Sequence, residues 1–302
     1  MPTDLSPILQ RVTAFHNRAD IKTTFLSGGI TNQNYRVDAG DESFVLRIGG
    51  AKTELLGIDR ANEYAATQAA AEIGIAPEVV DFVLPEGYLI ARFIHGREIP
   101  PCEMRETKSL HDVAQALKRI HALAPIRATF SPFQVVRDYD RLAREHDVKT
   151  FPENYAWLRE QMAVIETTFN HYNSVPVLCH NDLLNGNFLR DEQNNIRILD
   201  WEYAGMGDLF FDLANFSAHH ELNDEQILEL LDAYFDNPLP KHFARLKLMQ
   251  GMSDFREAMW GVLQQGISEL DFDFRGYANQ FFEKLSARLN DARYAEWIEL
   301  VR

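Results

Sequence analysis

The stretch Val177-Leu178-Cys179-His180-Asn181-Asp182-Leu183-Leu184-Asn185-Gly186-Asn187-Phe188-Leu189, followed by Ile198-Leu199-Asp200-Trp201-Glu202-Tyr203, decides how this chain is read. An apolar strand delivers a loop carrying Asp182 and, five positions on, Asn187; a second strand, residues 196–199, ends at Asp200. A hard cation takes oxygen ligands from carboxylates and amide carbonyls, while phosphoryl transfer needs another carboxylate to accept or orient the attacking hydroxyl. Three oxygen-bearing side chains in two roles are required, and three are present. The plainer reading is a hairpin, with Gly186 and residues 191–195 as turn residues. No second Cys or His lies at zinc-ligand spacing from Cys179 and His180. We therefore read Cys179 as a small apolar strand residue and His180 as a brace for the loop.

At 302 residues, 46% of them hydrophobic, the chain has enough apolar material for two lobes. Cys102 and Cys179 are too few for a disulfide framework and point to a reducing compartment. The start, Met1-Pro2-Thr3-Asp4-Leu5-Ser6, is neither basic nor apolar, and no apolar run is long enough to span a bilayer. A cytoplasmic protein without membrane insertion is expected. A formal net charge of −15 disfavours nucleic acid and anionic lipid as partners and suits a small cationic substrate.

Strand signals fall at residues 22–25, 34–37, 43–48 and 87–93. Among them one helix is predicted over residues 59–73, with Asp59 as N-cap, Gly74 just past the end and Pro77 barring continuation. From His111 onward the pattern is mostly helical. Val113, Leu117, Ile120 and His121 share one face, and further helices are predicted over 155–169, 225–235, 242–269 and 277–289. The expected architecture is α+β and bilobal: a strand-rich N-lobe, residues 1–95, then a mainly helical C-lobe, residues 96–302. A hairpin running from His180 to Asp200 is expected at the top of the C-lobe, and residues 94–101 form the joint.

Ser27-Gly28-Gly29-Ile30-Thr31-Asn32 sets two glycines and small polar residues between two strands, where backbone amides can approach phosphate oxygens. An ordinary glycine hairpin is the alternative. No Walker A pattern occurs. In Phe44-Val45-Leu46-Arg47-Ile48 the alternation puts Arg47 beside Val45 on one face, within reach of a nucleotide's phosphates, unless it is a solvated edge-strand arginine. Glu63, early in the next helix, offers a carboxylate that would hold Arg47 as an ion pair. Glycine loop, basic strand residue, helix glutamate, catalytic loop and metal aspartate then follow in kinase order.

On these motifs the chain resembles the choline/ethanolamine kinase family, within the protein-kinase-like and aminoglycoside-phosphotransferase-like group. The likeness covers nearly the whole chain and rests on Ser27 to Asn32, Arg47, Glu63, His180 to Asn187, and Asp200 to Tyr203. It implies a protein-kinase-like bilobal fold and an ATP- and Mg2+-dependent phosphotransferase acting on an alcohol. It further implies catalytic roles for Asp182, Asn187 and Asp200, with Asp182 as the base and Asn187 and Asp200 holding Mg2+, Glu202 assisting through a second ion or its water. Nucleotide contacts are implied from Ser27, Gly28, Gly29, Thr31, Asn32, Arg47 and Glu63, with backbone contacts to adenine from Arg92, Phe93 and Ile94. Asp212 matches a position that braces the catalytic loop; a helix N-cap is its plainer role.

The acceptor implied is a small cationic alcohol, choline first and ethanolamine second. Tyr203, Trp260 and Tyr277 match the family's aromatic positions, since a quaternary ammonium is held by ring faces. Where the family commonly has another tryptophan, this chain has Glu257, whose carboxylate would hydrogen-bond a primary ammonium. Glu257 as a solvated helix residue with Trp260 in the core is the alternative. The rival functions are kinases of an aminoglycoside, thiamine or a sugar, and a catalytically silent nucleotide-binding protein. A homodimer is left open.

Overall fold

Short alternating strands and one capped helix build the first third of the chain. A computed structural model describes residues 4–16, 18, 20–27, 32–170 and 174–302. After a single-turn α1 (Ser6–Leu9) come β1 (Ile21–Leu26), β2 (Gln33–Ala39) and β3 (Glu42–Ile48), then α2 (Arg60–Glu72), β4 (Val79–Val83) and β5 (Tyr88–Arg92). The strands pair antiparallel in the order β1-β2-β3-β5-β4. Gly40, at φ 64°, opens the two-residue connection that pairs Ala39 with Glu42, a backbone angle glycine adopts without steric cost. Along β3, Phe44 and Leu46 are buried in a core shared with Val12, Phe15, Val37, Val83 and Ile90. Arg47 falls on the opposite face, as the period of two requires.

Helix α2 starts as its sequence predicts. Asp59 accepts from the backbone N–H of Ala61 at 2.9 Å and of Asn62 at 3.0 Å, and Gly74 follows at φ 72°. Its inner face does not join the sheet's core. Ala66 and Ala70, with Ile58, Ile75 and Ala76, pack into the larger apolar cluster of the helical half, and the Ile75 carbonyl accepts from Ile198 N–H at 3.0 Å. Glu63 is thereby tied to the element that carries Asp200.

The second half runs β6 (Gly96–Glu98), α3 (Pro101–Met104), α4 (Thr107–His121), α5 (Pro132–Glu145), α6 (Tyr155–Asn170), β7 (Val177–Cys179), β8 (Phe188–Asp191), β9 (Ile196–Ile198), β10 (Gly205–Gly207), α7 (Leu209–His219), α8 (Asp224–Phe235), α9 (Pro240–Ile267), α10 (Phe274–Leu289) and α11 (Tyr294–Val301). Helix α9 is the axis: it packs against α5, α7, α10 and α11 and is buried on nearly every side. Gly261 lets α10 come close, since a Cβ there would stand 3.0 Å from the Tyr277 ring. None of the helices among the described residues is long and apolar enough to cross a membrane.

The expected single hairpin from His180 to Asp200 is corrected. β7 pairs with β10, whereas β8 and β9 form their own hairpin, turned by residues 192–195, with β6 on the other side of β8. The expected joint at 94–101 is thus partly a strand of this small sheet. Gly186 lies in a 3-10 turn, Asn185–Asn187, rather than in a hairpin turn.

Replacing the α2 cap, Asp59→Ala, is expected to lower stability by about 1 kcal/mol, with Asp59→Asn close to wild type. Urea unfolding checks this, and equal midpoints for Asp59→Ala and wild type would refute the cap's role.

Candidate active site

The loop after β7 has no regular structure of its own, so each of its amides needs a partner from elsewhere. Helix α7 supplies three of them. Asp212, fully buried, accepts from His180 N–H at 2.8 Å and Asn181 N–H at 2.7 Å, and Asn215 Oδ1 accepts from Leu183 N–H at 2.6 Å. The two side chains lie three residues apart, on one face of the helix. The fourth amide, that of Asp182, donates to His180 Nδ1 at 3.2 Å, while His180 Nε2 reaches Leu199 O at 2.9 Å. His180 is therefore the Nε2–H tautomer, and burial lowers its pKa in the same sense. Asp212 also meets His121 Nε2 at 3.1 Å. The cap of α7 is Asp208, which accepts from Phe210 N–H, so the alternative reading of Asp212 as an N-cap is set aside.

Two residues of this region hold left-handed backbone, Asn181 at φ 67° and Asp200 at φ 61°. Asparagine and aspartate tolerate that region better than most side chains do. Between them sits Asp182, 7% exposed. Asn187 Nδ2 donates to the Asp182 carbonyl at 2.8 Å and approaches its Oδ2 at 3.3 Å, which turns Asn187 Oδ1 away as a free-facing oxygen. Arg256 Nη1 reaches Asp182 Oδ1 at 3.0 Å. Burial pushes the Asp182 carboxyl up to about 7, with Arg256 opposing and Glu257 and Asp200 adding to the rise.

Across the cleft, acids and arginines alternate. Arg47 is paired with both Glu63 and Asp200, and Arg60 Nη1 joins Glu63 Oε2 at 2.7 Å to Glu202 Oε2 at 3.1 Å. Asn32 Nδ2 donates to Glu202 Oε2 at 2.9 Å, and Arg60 Nη2 donates to Asn32 Oδ1 at 3.2 Å. Burial, then the nearby Asp200 charge, raises the Glu202 pKa. Of the glycine-loop residues, Ser27 is exposed; Gly28, Gly29 and Thr31 lie outside the described residues. Arg92 and Phe93 have already committed their N–H groups, to Glu78 O at 2.8 Å and Ser43 O at 2.9 Å. Those two hydrogens are taken, so a backbone contact from Arg92 or Phe93 to adenine would be made by a carbonyl.

The four residues singled out for the acceptor lie together. Tyr277 Oη donates to Glu257 Oε2 at 2.7 Å, and the Trp260 and Tyr277 rings meet edge-on with centroids 5.3 Å apart. Glu257 is 3% exposed and paired with Arg256, so its reading as a solvated helix residue is corrected. Burial alone would raise its pKa, but Arg256, His219 and the Tyr277 hydroxyl together hold it below the usual carboxylate range. The Arg256 guanidinium lies 4.2 Å over the Tyr203 ring.

A family model described as Choline/ethanolamine kinase matches residues 23–229, more than half of the sequence. The chain belongs to the choline/ethanolamine kinase family. It is an ATP-dependent phosphotransferase with an alcohol acceptor. Human ethanolamine kinase 2 is 26% identical, the match covering 93% of this chain and 82% of that protein. A choline/ethanolamine kinase family protein from Mesorhizobium loti superposes with a TM-score of 0.84 at 27% identity, covering 98% of both chains. Choline kinase LicA from Streptococcus pneumoniae shares the fold, with a TM-score of 0.78 at 20% identity over 94% of this chain and 98% of that one; LicA has also been solved in complex with AMP.

Within this family framework, three site residues escaped sequence reasoning: Arg60, Arg256 and Asn215. Arg60 directly follows the α2 cap and stands three residues before Glu63, a spacing that signals an ion pair. Arg256 carried a weaker signal, an arginine next to Glu257 in the second half of α9, where the neighbouring positions 258–263 are apolar or small. Asn215, three residues after Asp212, carried a helical-face signal. His121 was placed on the buried face of α4, but not beside Asp212.

Asp212→Ala leaves two buried N–H groups unpaired and is expected to cost roughly 2–6 kcal/mol, at about 1–3 for each. A thermal melt indistinguishable from wild type would show that the loop is held by something else.

Proposed function

We propose that this enzyme transfers the γ-phosphoryl group of ATP, with Mg2+, to the hydroxyl of a small amino-alcohol, choline or ethanolamine. We divide it into a nucleotide-binding lobe, residues 1–95, and a catalytic lobe, residues 96–302. One observation carries the reading: Asp182, held by Asn187, lies close enough to Asp200 for the two charges to interact, and Asp200 is paired with Arg47, which is itself paired with Glu63. The relatives' names, ethanolamine kinase and choline kinase, support the acceptor class, and the AMP complex of LicA supports the nucleotide. Two free cysteines suit a cytoplasmic location.

Asp182 would accept the acceptor's hydroxyl proton at its carboxylate, and Arg256 and Asn187 set the direction in which that carboxylate points. The donor set fits a hard cation: the Asn187 amide donates its hydrogens to Asp182 and keeps its oxygen, the Asp200 side chain is 30% exposed, and the two residues' segments are joined by Leu199 N–H donating to Asn187 O at 2.8 Å. Asn187 and Asp200 would hold magnesium, with Glu202 assisting from behind Asp200. When bound, the ion neutralises charge that develops on the transferring phosphoryl group. Arg47, steadied by Glu63, would bind phosphate oxygens, and the Ser27, Gly28, Gly29, Thr31 and Asn32 stretch would add backbone contacts to them.

Asp182→Asn keeps shape and hydrogen bonding but removes the basic carboxylate, so kcat is expected to fall roughly 10²-fold or more, with ATP affinity little changed. ADP release measured with choline, ethanolamine, thiamine and an aminoglycoside checks this; a kcat within about threefold of wild type refutes the role.

Asp200→Ala should abolish turnover at ordinary magnesium and recover part of it at high magnesium. Full activity of Asp200→Ala at ordinary magnesium would refute the ligand assignment.

A further inference from the structure

On an amino-alcohol whose hydroxyl lies beside Asp182, the nitrogen, two carbons away, falls among the side chains that surround that carboxylate. Asn187, and Arg256 of α9, hydrogen-bond that carboxylate, and Arg256 is the charged one. It is 2% exposed, donates to Asp182 Oδ1 at 3.0 Å and pairs with Glu257. Its guanidinium covers the Tyr203 ring at 4.2 Å. Glu257 is held in turn by Tyr277 Oη at 2.7 Å. An internal cation thus already occupies the aromatic face and the two carboxylates that would receive the cation of a substrate.

We propose that Arg256, paired with Glu257, makes this site select a primary ammonium against a quaternary one. The inference rests on the amino-alcohol reading and narrows it, reversing the order in which choline and ethanolamine were expected. A primary ammonium has three N–H donors and can share the oxygens of Glu257 and Asp182 with Arg256 through charge-assisted hydrogen bonds. Trimethylammonium has none and gains chiefly from ring faces. Here the Tyr203 face is covered, and the Trp260 and Tyr277 rings are turned 64° to one another in mutual edge contact. Arg256 repels both cations alike. Only the one that donates hydrogen bonds offsets that repulsion.

The test is kcat/KM of the whole enzyme for ethanolamine, N-methylethanolamine, N,N-dimethylethanolamine and choline, with each product confirmed by mass. In the wild type the values are expected to fall along the series, ethanolamine exceeding choline by about tenfold or more, the worth of one charge-assisted hydrogen bond. Arg256→Met keeps the apolar stem and removes the guanidinium. Both substrates then lose rate, because Asp182 loses its partner, but the ethanolamine-to-choline ratio narrows by about tenfold. Arg256→Lys, which keeps the charge and uncovers the ring, is expected to fall between the two. Equal wild-type turnover of both substrates, or a ratio that neither variant moves, would overturn the inference and leave the amino-alcohol reading standing. Turnover of none of the four amines would overturn that reading and the inference with it.

Discussion

The site hangs on one buried carboxylate. Asp212 has no exposed surface, and an uncompensated charge in such a place would be prohibitive. Its compensation is the backbone of the catalytic loop: two N–H groups at 2.7 and 2.8 Å and the His121 ring at 3.1 Å. The dependence runs both ways, because without Asp212 those amides would be the unpaired groups. With the loop held at residues 180 and 181, His180 reaches the Leu199 carbonyl and so links the loop to the segment between β9 and Asp200. The left-handed backbone at Asn181 and Asp200, costing about 1–3 kcal/mol at each, is sustained by this network.

An acidic chain has nonetheless concentrated arginines at its centre. Arg47, Arg60 and Arg256 each bridge two carboxylates, in the sequences Asp200-Arg47-Glu63-Arg60-Glu202 and Asp182-Arg256-Glu257. Buried pairs of this kind contribute little net stability against apolar replacements, yet removing one partner leaves a stranded charge and is strongly destabilising. Their value lies in placement. The first chain ties Asn32 and helix α2 to Asp200; the second ties Asp182 to helix α9.

Much of this arrangement is legible in the amino-acid sequence. Alternation in residues 43–48 puts Phe44 and Leu46 in a core and Arg47 on the other face, and the Asp59 cap and Gly74 bound α2 within a residue at each end. What does not show is short or featureless. Strand β10 is three residues with two glycines, and α7 is apolar on almost every side, so neither carries a period. Helix α5 was not expected, although Ser131 and Pro132 form a recognisable start. The pairing of β7 with β10 instead of β8 cannot be read locally, because strand register is set by tertiary contacts. Tyr203, Glu257, Trp260 and Tyr277, proposed for the acceptor, are marked by the family resemblance, but the contacts that join them to Asp182 run through Arg256, which no motif marks.

The most direct measurement is the fate of the γ-phosphorus. With [γ-32P]ATP, Mg2+ and ethanolamine, label should pass into a phosphorylated amino-alcohol in step with ADP formation, and both should stop when the acceptor is left out. Label released only as inorganic phosphate, at a rate indifferent to the amino-alcohol, would contradict the account.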